Sequence, residues 1–150
     1  MSKLAQEVLK WLREVYGQIR ILEEFQVGEG LRLDFYLPEL KLGIEVQGSQ
    51  HYEFIEFYHG DKEGFDDSKK RDRRKIELCS MQGIAIVYFK YDDKLSKEFI
   101  LRASSEALSS FEKMNSIVKE DLKQLEYRKI RLEKARQIRK DRYKKWKERL

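Results

Sequence analysis

The chain has 150 residues, a single cysteine, 39% charged residues and a net charge of +5. One thiol, Cys79, excludes an internal disulfide and fits a reducing compartment. The start, MSKLAQEVLKWLREV, is charged throughout, so neither a secretory leader nor a membrane span is expected, and the expected location is cytoplasmic. The charge is uneven: residues 111–150 hold 15 Lys/Arg against 7 Asp/Glu, whereas residues 1–110 hold 17 against 20. That split predicts a core domain over 1–110 and a basic helical extension over 111–150, the extension meeting a polyanion or forming a solvated, charge-laced helix.

Ser2 is placed to cap a first helix whose Leu4, Val8, Trp11, Leu12 and Val15 fall on one stripe, with Glu7 at its edge. Ile19 to Val27 reads as a strand and Gly28-Glu29-Gly30 as a turn. Leu31, Leu33 and Phe35 alternate with Arg32, Asp34 and Tyr36 in a second strand. Leu42, Ile44 and Val46 alternate with Gly43, Glu45 and Gln47 in a third. The only proline, Pro38, suits the connection between them. Residues 48–68 read as an aromatic and acidic loop with at most a short helical turn. Lys69 to Gln82 reads as a helix stopped by Gly83, and Ile84 to Phe89 as an apolar, buried central strand. Ser96 can start a further helix through Phe99, Ile100, Ala103, Ala107 and Leu108. Its apolar stripe continues through Phe111, Met114, Val118, Leu122 and Leu125 and thins after Ile130. The expected fold class is α/β, a mixed central sheet of about four strands flanked by helices.

Asp34 and Glu45 are out of place in strands that otherwise read as buried, because a desolvated carboxylate needs a compensating charge or donor. A hairpin turning about Glu39 and Leu40 sets them directly opposite each other on one face, with Gln47 alongside. Two neighbouring carboxylates repel, and Mg²⁺, which prefers oxygen ligands, relieves the conflict. Asp34, Glu45 and the Val46 carbonyl are the candidate ligands, with Mn²⁺ as a substitute. His51, just beyond the strand, suits proton transfer or phosphate binding near neutral pH. Spacing alone also permits a solvent-facing Asp/Glu pair bonded to lysines, a packing histidine, and an ordinary helix ion pair between Asp72 and Lys75. Zinc spacing, a phosphate-cradling glycine loop and a Ser or Cys triad pattern are absent.

The order of these residues carries a resemblance. A helix with Glu7, a strand with Asp34, then Glu45-Val46-Gln47-Gly48 and His51, then Asp72, Lys75, Cys79 and Gly83 before a buried strand, resembles the PD-(D/E)xK nuclease superfamily. Over about residues 2–92 the chain is most similar to the branch of very-short-patch-repair endonucleases and their homing-endonuclease and phage relatives. The resemblance implies a restriction-endonuclease-like fold and a Mg²⁺-dependent endonuclease acting on DNA. It implies Asp34 and Glu45 as metal ligands, His51 as general acid/base or phosphate contact, and Glu7 as an organiser of metal-bound water. The family's E-x-K reads Glu45-Val46-Gln47 here, so Gln47 becomes a neutral donor. Lys75, three residues after Asp72 on one helix face, takes the place of the missing lysine, with Lys70 in reserve.

The acidic body suits metal binding better than DNA binding, so affinity is expected from the extension. Lys140, Arg142, Lys144 and Lys145 can neutralise phosphates, while Tyr143 and Trp146 can pack on a base or sugar. The stripe in residues 111–126 offers a coiled-coil seam for a homodimer. The alternative from another class is an inactive nuclease-fold module that binds DNA or assembles with a partner.

Overall fold

The computed structural model describes residues 1–49 and 62–150. By contacts it divides into two units, Met1–Ser110 and Phe111–Leu150. The first unit is a mixed four-stranded sheet with flanking helices, as its sequence predicts. Helix α1 covers Lys3–Val15 and strands β1, β2 and β3 cover Leu22–Gly28, Leu31–Leu37 and Leu42–Gln47. Helix α2 runs over Lys62–Met81, strand β4 over Ala85–Lys90, and helix α3 over Lys97–Glu148. The strand order is β1-β2-β3-β4, with the first two pairings antiparallel and β3–β4 parallel.

Local chemistry sets the boundaries. Ser2 Oγ accepts the Ala5 N–H at 3.1 Å and Ser96 Oγ accepts the Phe99 N–H at 3.1 Å, so both expected N-caps are present. The two-residue turn joining β1 to β2 puts Glu29 and Gly30 at positive φ, 54° and 74°, the backbone twist that matches two antiparallel strands. Helix α2 ends in a left-handed cap. Gly83 has φ 75°, its N–H bonds Ser80 O at 3.1 Å, and the Ile84 N–H bonds Cys79 O at 2.9 Å. These are the paired closing bonds of a Schellman motif.

Three expectations shift. Strand β1 starts at Leu22 rather than Ile19, because the turn after α1 continues through Ile19, whose N–H bonds Tyr16 O at 2.9 Å. Helix α2 begins at Lys62, inside the stretch read as a loop. Asp66 and Asp67 near its start favour that end of a helix, which low hydropathy alone conceals. Strand β4 is an edge strand among the described residues rather than a central one. Its apolar side chains Ala85, Val87 and Phe89 are nonetheless buried, with the Phe89 ring 6.2 Å from that of Phe99 on α3. Cover by a helix gives an edge strand the composition of a central one.

The core gathers Val8 and Leu12 from α1, Leu33, Phe35 and Leu37 from β2, Leu42 and Ile44 from β3, Phe89 and Ile100. Helix α2 packs on β1, β2 and β4, and α1 on β3. In the second unit, Phe111–Leu150, the apolar side chains Met114, Val118, Leu122 and Leu125 are exposed. No described helix is long and apolar enough to cross a membrane.

The cap at Gly83 gives a direct test. A Cβ in the left-handed region costs about 1–2 kcal/mol. Gly83→Ala should lower unfolding free energy by that amount in urea titrations, with an unchanged m-value.

Candidate functional site

Strands β2 and β3 pair through Leu37–Leu42, Tyr36–Gly43 and Phe35–Ile44, and the next opposed positions are Asp34 and Glu45. There the backbone ladder gives way to side chains. The Val46 N–H donates to Asp34 Oδ2 at 2.7 Å, and the Asp34 N–H donates to Glu45 Oε2 at 3.4 Å. The two carboxylates are therefore cross-strand neighbours, as the hairpin register requires. Each also satisfies a main-chain donor that lacks a ladder partner.

Helix α2 brings a cation to this point. Lys75 Nζ donates to Glu45 Oε1, and the two side chains are only 18% and 12% exposed. A second set of contacts fixes the helix at its outer edge. The Arg74 guanidinium grips Glu29 in the β1–β2 turn with two bonds of 2.8 and 2.6 Å, and reaches Glu77 at 2.9 Å. Gln82 Nε2 donates to Val27 O at 2.7 Å. These contacts hold α2 across the sheet at the position where Lys75 meets Glu45.

Together these elements line a cavity of about 140 Å³, bounded by Asp34, Glu45, Val46, Gln47, Asp72, Lys75 and Tyr88. It has room for several waters. Burial pushes the Glu45 carboxyl up to about 7, with the Asp34 carboxylate adding to the rise and Lys75 opposing it. Beneath the site, burial and the nearby Glu45 raise the Cys79 thiol to about 11. Cys79 is fully buried, so it is a packing residue rather than a nucleophile.

The structure brings together Asp34, Glu45, Val46, Gln47, Asp72 and Lys75. Glu7 is exposed on α1 and is not among the described residues lining the cavity. His51 lies outside the described residues. Lys140, Arg142, Tyr143, Lys144, Lys145 and Trp146 are exposed on α3, with the Tyr143 and Trp146 rings 5.8 Å apart. Tyr88 was not singled out by the sequence reading. It sits opposite Glu45 in the parallel β3–β4 ladder, and its signal was a phenol inside an otherwise apolar strand.

Among the described residues, no three His, Cys, Asp or Glu side chains converge into a metal-binding group. The oxygen donors available at the cavity are the Asp34 and Glu45 carboxylates, main-chain carbonyls, and Asp72 on its wall. A carboxylate offers about four acceptor positions, so Asp34 and Glu45 keep capacity beyond their hydrogen bonds. One or two carboxylates with waters is a usual protein share of a Mg²⁺ shell, so the residues present fit such an ion.

No family model matches this chain, and no solved structure does. Three curated viral proteins are similar to it in part. "Uncharacterized protein 307L" of Invertebrate iridescent virus 6 is 39% identical over 64 residues, 43% of this chain and 32% of that protein. "Uncharacterized protein 033L" of Invertebrate iridescent virus 3 is 36% identical over 69 residues, 46% of this chain and 36% of that one. "Uncharacterized protein 094L" of Frog virus 3 is 37% identical over 68 residues, 45% of this chain and 44% of that one. The match thus spans between about a third and under half of each relative. The sheet and its helices are consistent with a restriction-endonuclease-like topology.

The raised Glu45 carboxyl sets a pH dependence. Its folded pKa lies above the ordinary value of 4.5, so the folded state holds the extra proton between about 4.5 and 7. The stability contributed by Glu45 in the metal-free protein should be fully present below that window and be lost as pH rises through it. The loss is at most about 3 kcal/mol for a shift of this size. Glu45→Gln should flatten that slope in urea titrations across the window, and an unchanged slope would reassign the titration to another group.

Proposed function

We propose that this chain is a metal-dependent endonuclease of the PD-(D/E)xK type, hydrolysing phosphodiester bonds of DNA. The observation behind the reading is the Asp34–Glu45 pair in a cavity, with Lys75 bonded to Glu45. Asp34, Glu45 and the Val46 carbonyl would hold Mg²⁺, with Mn²⁺ as a substitute. The bound ion would neutralise the paired carboxylates and supply Lewis acidity toward a phosphate oxygen and a water.

The remaining roles belong to the chain itself. Lys75, freed from Glu45 when that carboxylate takes a metal, would offset negative charge growing on the phosphate. Gln47 would orient a water or phosphate oxygen as a neutral donor, and Asp72 would orient Lys75 or a water from the same helix. His51, four residues after Gln47 in the sequence, would move a proton or bind phosphate. Glu7 stands outside this set.

An inactive module that binds DNA or assembles with a partner is the second reading. Lys75 already neutralises Glu45 without an ion, and Gln47 stands where the family carries lysine. Metal titration separates the two. Millimolar Mg²⁺ or Mn²⁺ should raise the melting temperature of the wild type and support nicking of supercoiled DNA. Asp34→Ala and Glu45→Gln should lose both effects while still unfolding cooperatively. Cleavage at wild-type rate in both variants would sink the site, and DNA binding with no metal effect would select the inactive module.

The second unit would contribute affinity. Residues 127–150 carry 12 Lys/Arg against 3 Asp/Glu, with Lys140, Arg142, Tyr143, Lys144, Lys145 and Trp146 exposed near the end. The exposed apolar stripe over 111–126 would pair with a second copy. Each phosphate neutralised contributes about −0.9 to the slope of log K against log[salt]. Truncation after Tyr127 should weaken duplex binding and flatten that slope, leaving the dimer and the melting temperature nearly unchanged. Equal affinity and slope in the truncated protein would remove the tail from the DNA interface.

A further inference from the structure

Six of the seven residues from Lys69 to Lys75 are basic, interrupted only by Asp72. Without this segment the first 110 residues hold 11 Lys/Arg against 19 Asp/Glu, so a compact positive block sits on an otherwise strongly acidic unit. The block lies at the cavity, since Asp72 and Lys75 are two of its walls. Its members divide by environment. Asp72 and Lys75 are half-buried, and Arg74 is occupied by Glu29 and Glu77. Lys70, Arg71 and Arg73 are exposed and form no ion pair among the described residues. Arg71 is one helical turn before Lys75, and so adjoins it on the helix surface.

We infer that Lys70, Arg71 and Arg73 form a duplex-DNA contact on the body of the protein, binding backbone phosphates beside the cavity. The proposal deepens the endonuclease reading by naming the surface that would hold substrate at the site, separately from the tail. Among the described residues these three cations have no ion-pair partner, whereas the fourth exposed one, Arg74, fixes α2 to the β1–β2 turn. Lys70 to Arg73 advances about 4.5 Å along the helix axis, and phosphates repeat about every 3.4 Å along one strand. Around the helix they fan over an arc of about 160°, with Lys70 between Arg71 and Arg73, so their long side chains flank a duplex laid along α2 rather than line up on one strand. The contact is with the backbone, so it carries no sequence preference.

The test measures binding rather than cleavage, on the full chain in EDTA, with a short fluorescein-labelled duplex followed by anisotropy over a salt series. The triple variant Lys70→Gln, Arg71→Gln, Arg73→Gln should lower the magnitude of the salt slope by about 2–3. It should weaken affinity on the order of 10²-fold at 0.1 M salt, the gap closing toward 1 M. Arg71→Lys with Arg73→Lys, which keeps the charge, should leave the slope in place. Arg71→Gln alone should remove about 0.9 from it, which provides a reading if the triple variant loses its helical circular dichroism. Lys3→Gln, Lys94→Gln and Lys97→Gln together remove the same charge elsewhere on exposed positions of the unit. An equal flattening in that control would reduce the effect to net charge and overturn the proposal. An unchanged slope in the triple variant, with the wild type still cleaving, would overturn it and leave the endonuclease reading intact. A flattened slope in the triple variant, with a wild type that never cleaves, would uphold the contact and remove the nuclease.

Discussion

The bond between Lys75 and Glu45 is the constraint around which the first unit is arranged. A glutamate on an interior-facing strand position has to be matched by a cation or a donor, and the cation arrives on a helix separated by thirty residues. Placing Lys75 there requires α2 to cross the sheet at one height and one rotation. The Arg74–Glu29 fork, the Gln82 bond to Val27 and the cap at Gly83 all serve that placement. The same pair leaves the carboxylate and the ammonium each with a single strong partner in the cavity.

Much of this was legible in the residues. The β2–β3 hairpin follows from alternation and from Pro38 in the connection, and its register alone sets Asp34 against Glu45. Ser2, Ser96 and Gly83 announced helix ends by their own chemistry. What could not be read was the start of α2, because a charged amphipathic segment containing Gly64 has the composition of a loop. The place of β4 was hidden for a related reason: burial by a helix and burial between strands leave the same apolar run. Tyr88 was missed because its role depends on which strand lies beside β3, a long-range fact that alternation within β4 does not encode.

Charge is distributed in the chain by function as much as by solubility. The first unit carries an acidic surplus outside the α2 block, while the basic surplus is confined to that block and the second unit. Such separation lets a positive patch and a pair of carboxylates keep distinct local fields on one chain. Either surplus spread evenly over the surface would weaken both.

The left-handed stop at Gly83 has a consequence for how such a chain can vary in length. Each residue of a helix turns its side chain by 100° and advances it by about 1.5 Å. With the helix end anchored at Gly83, inserting or deleting one residue between Lys75 and the stop would swing the ammonium off the Glu45 carboxylate. The eight-residue count from Lys75 to Gly83 is therefore a length the chain has to keep.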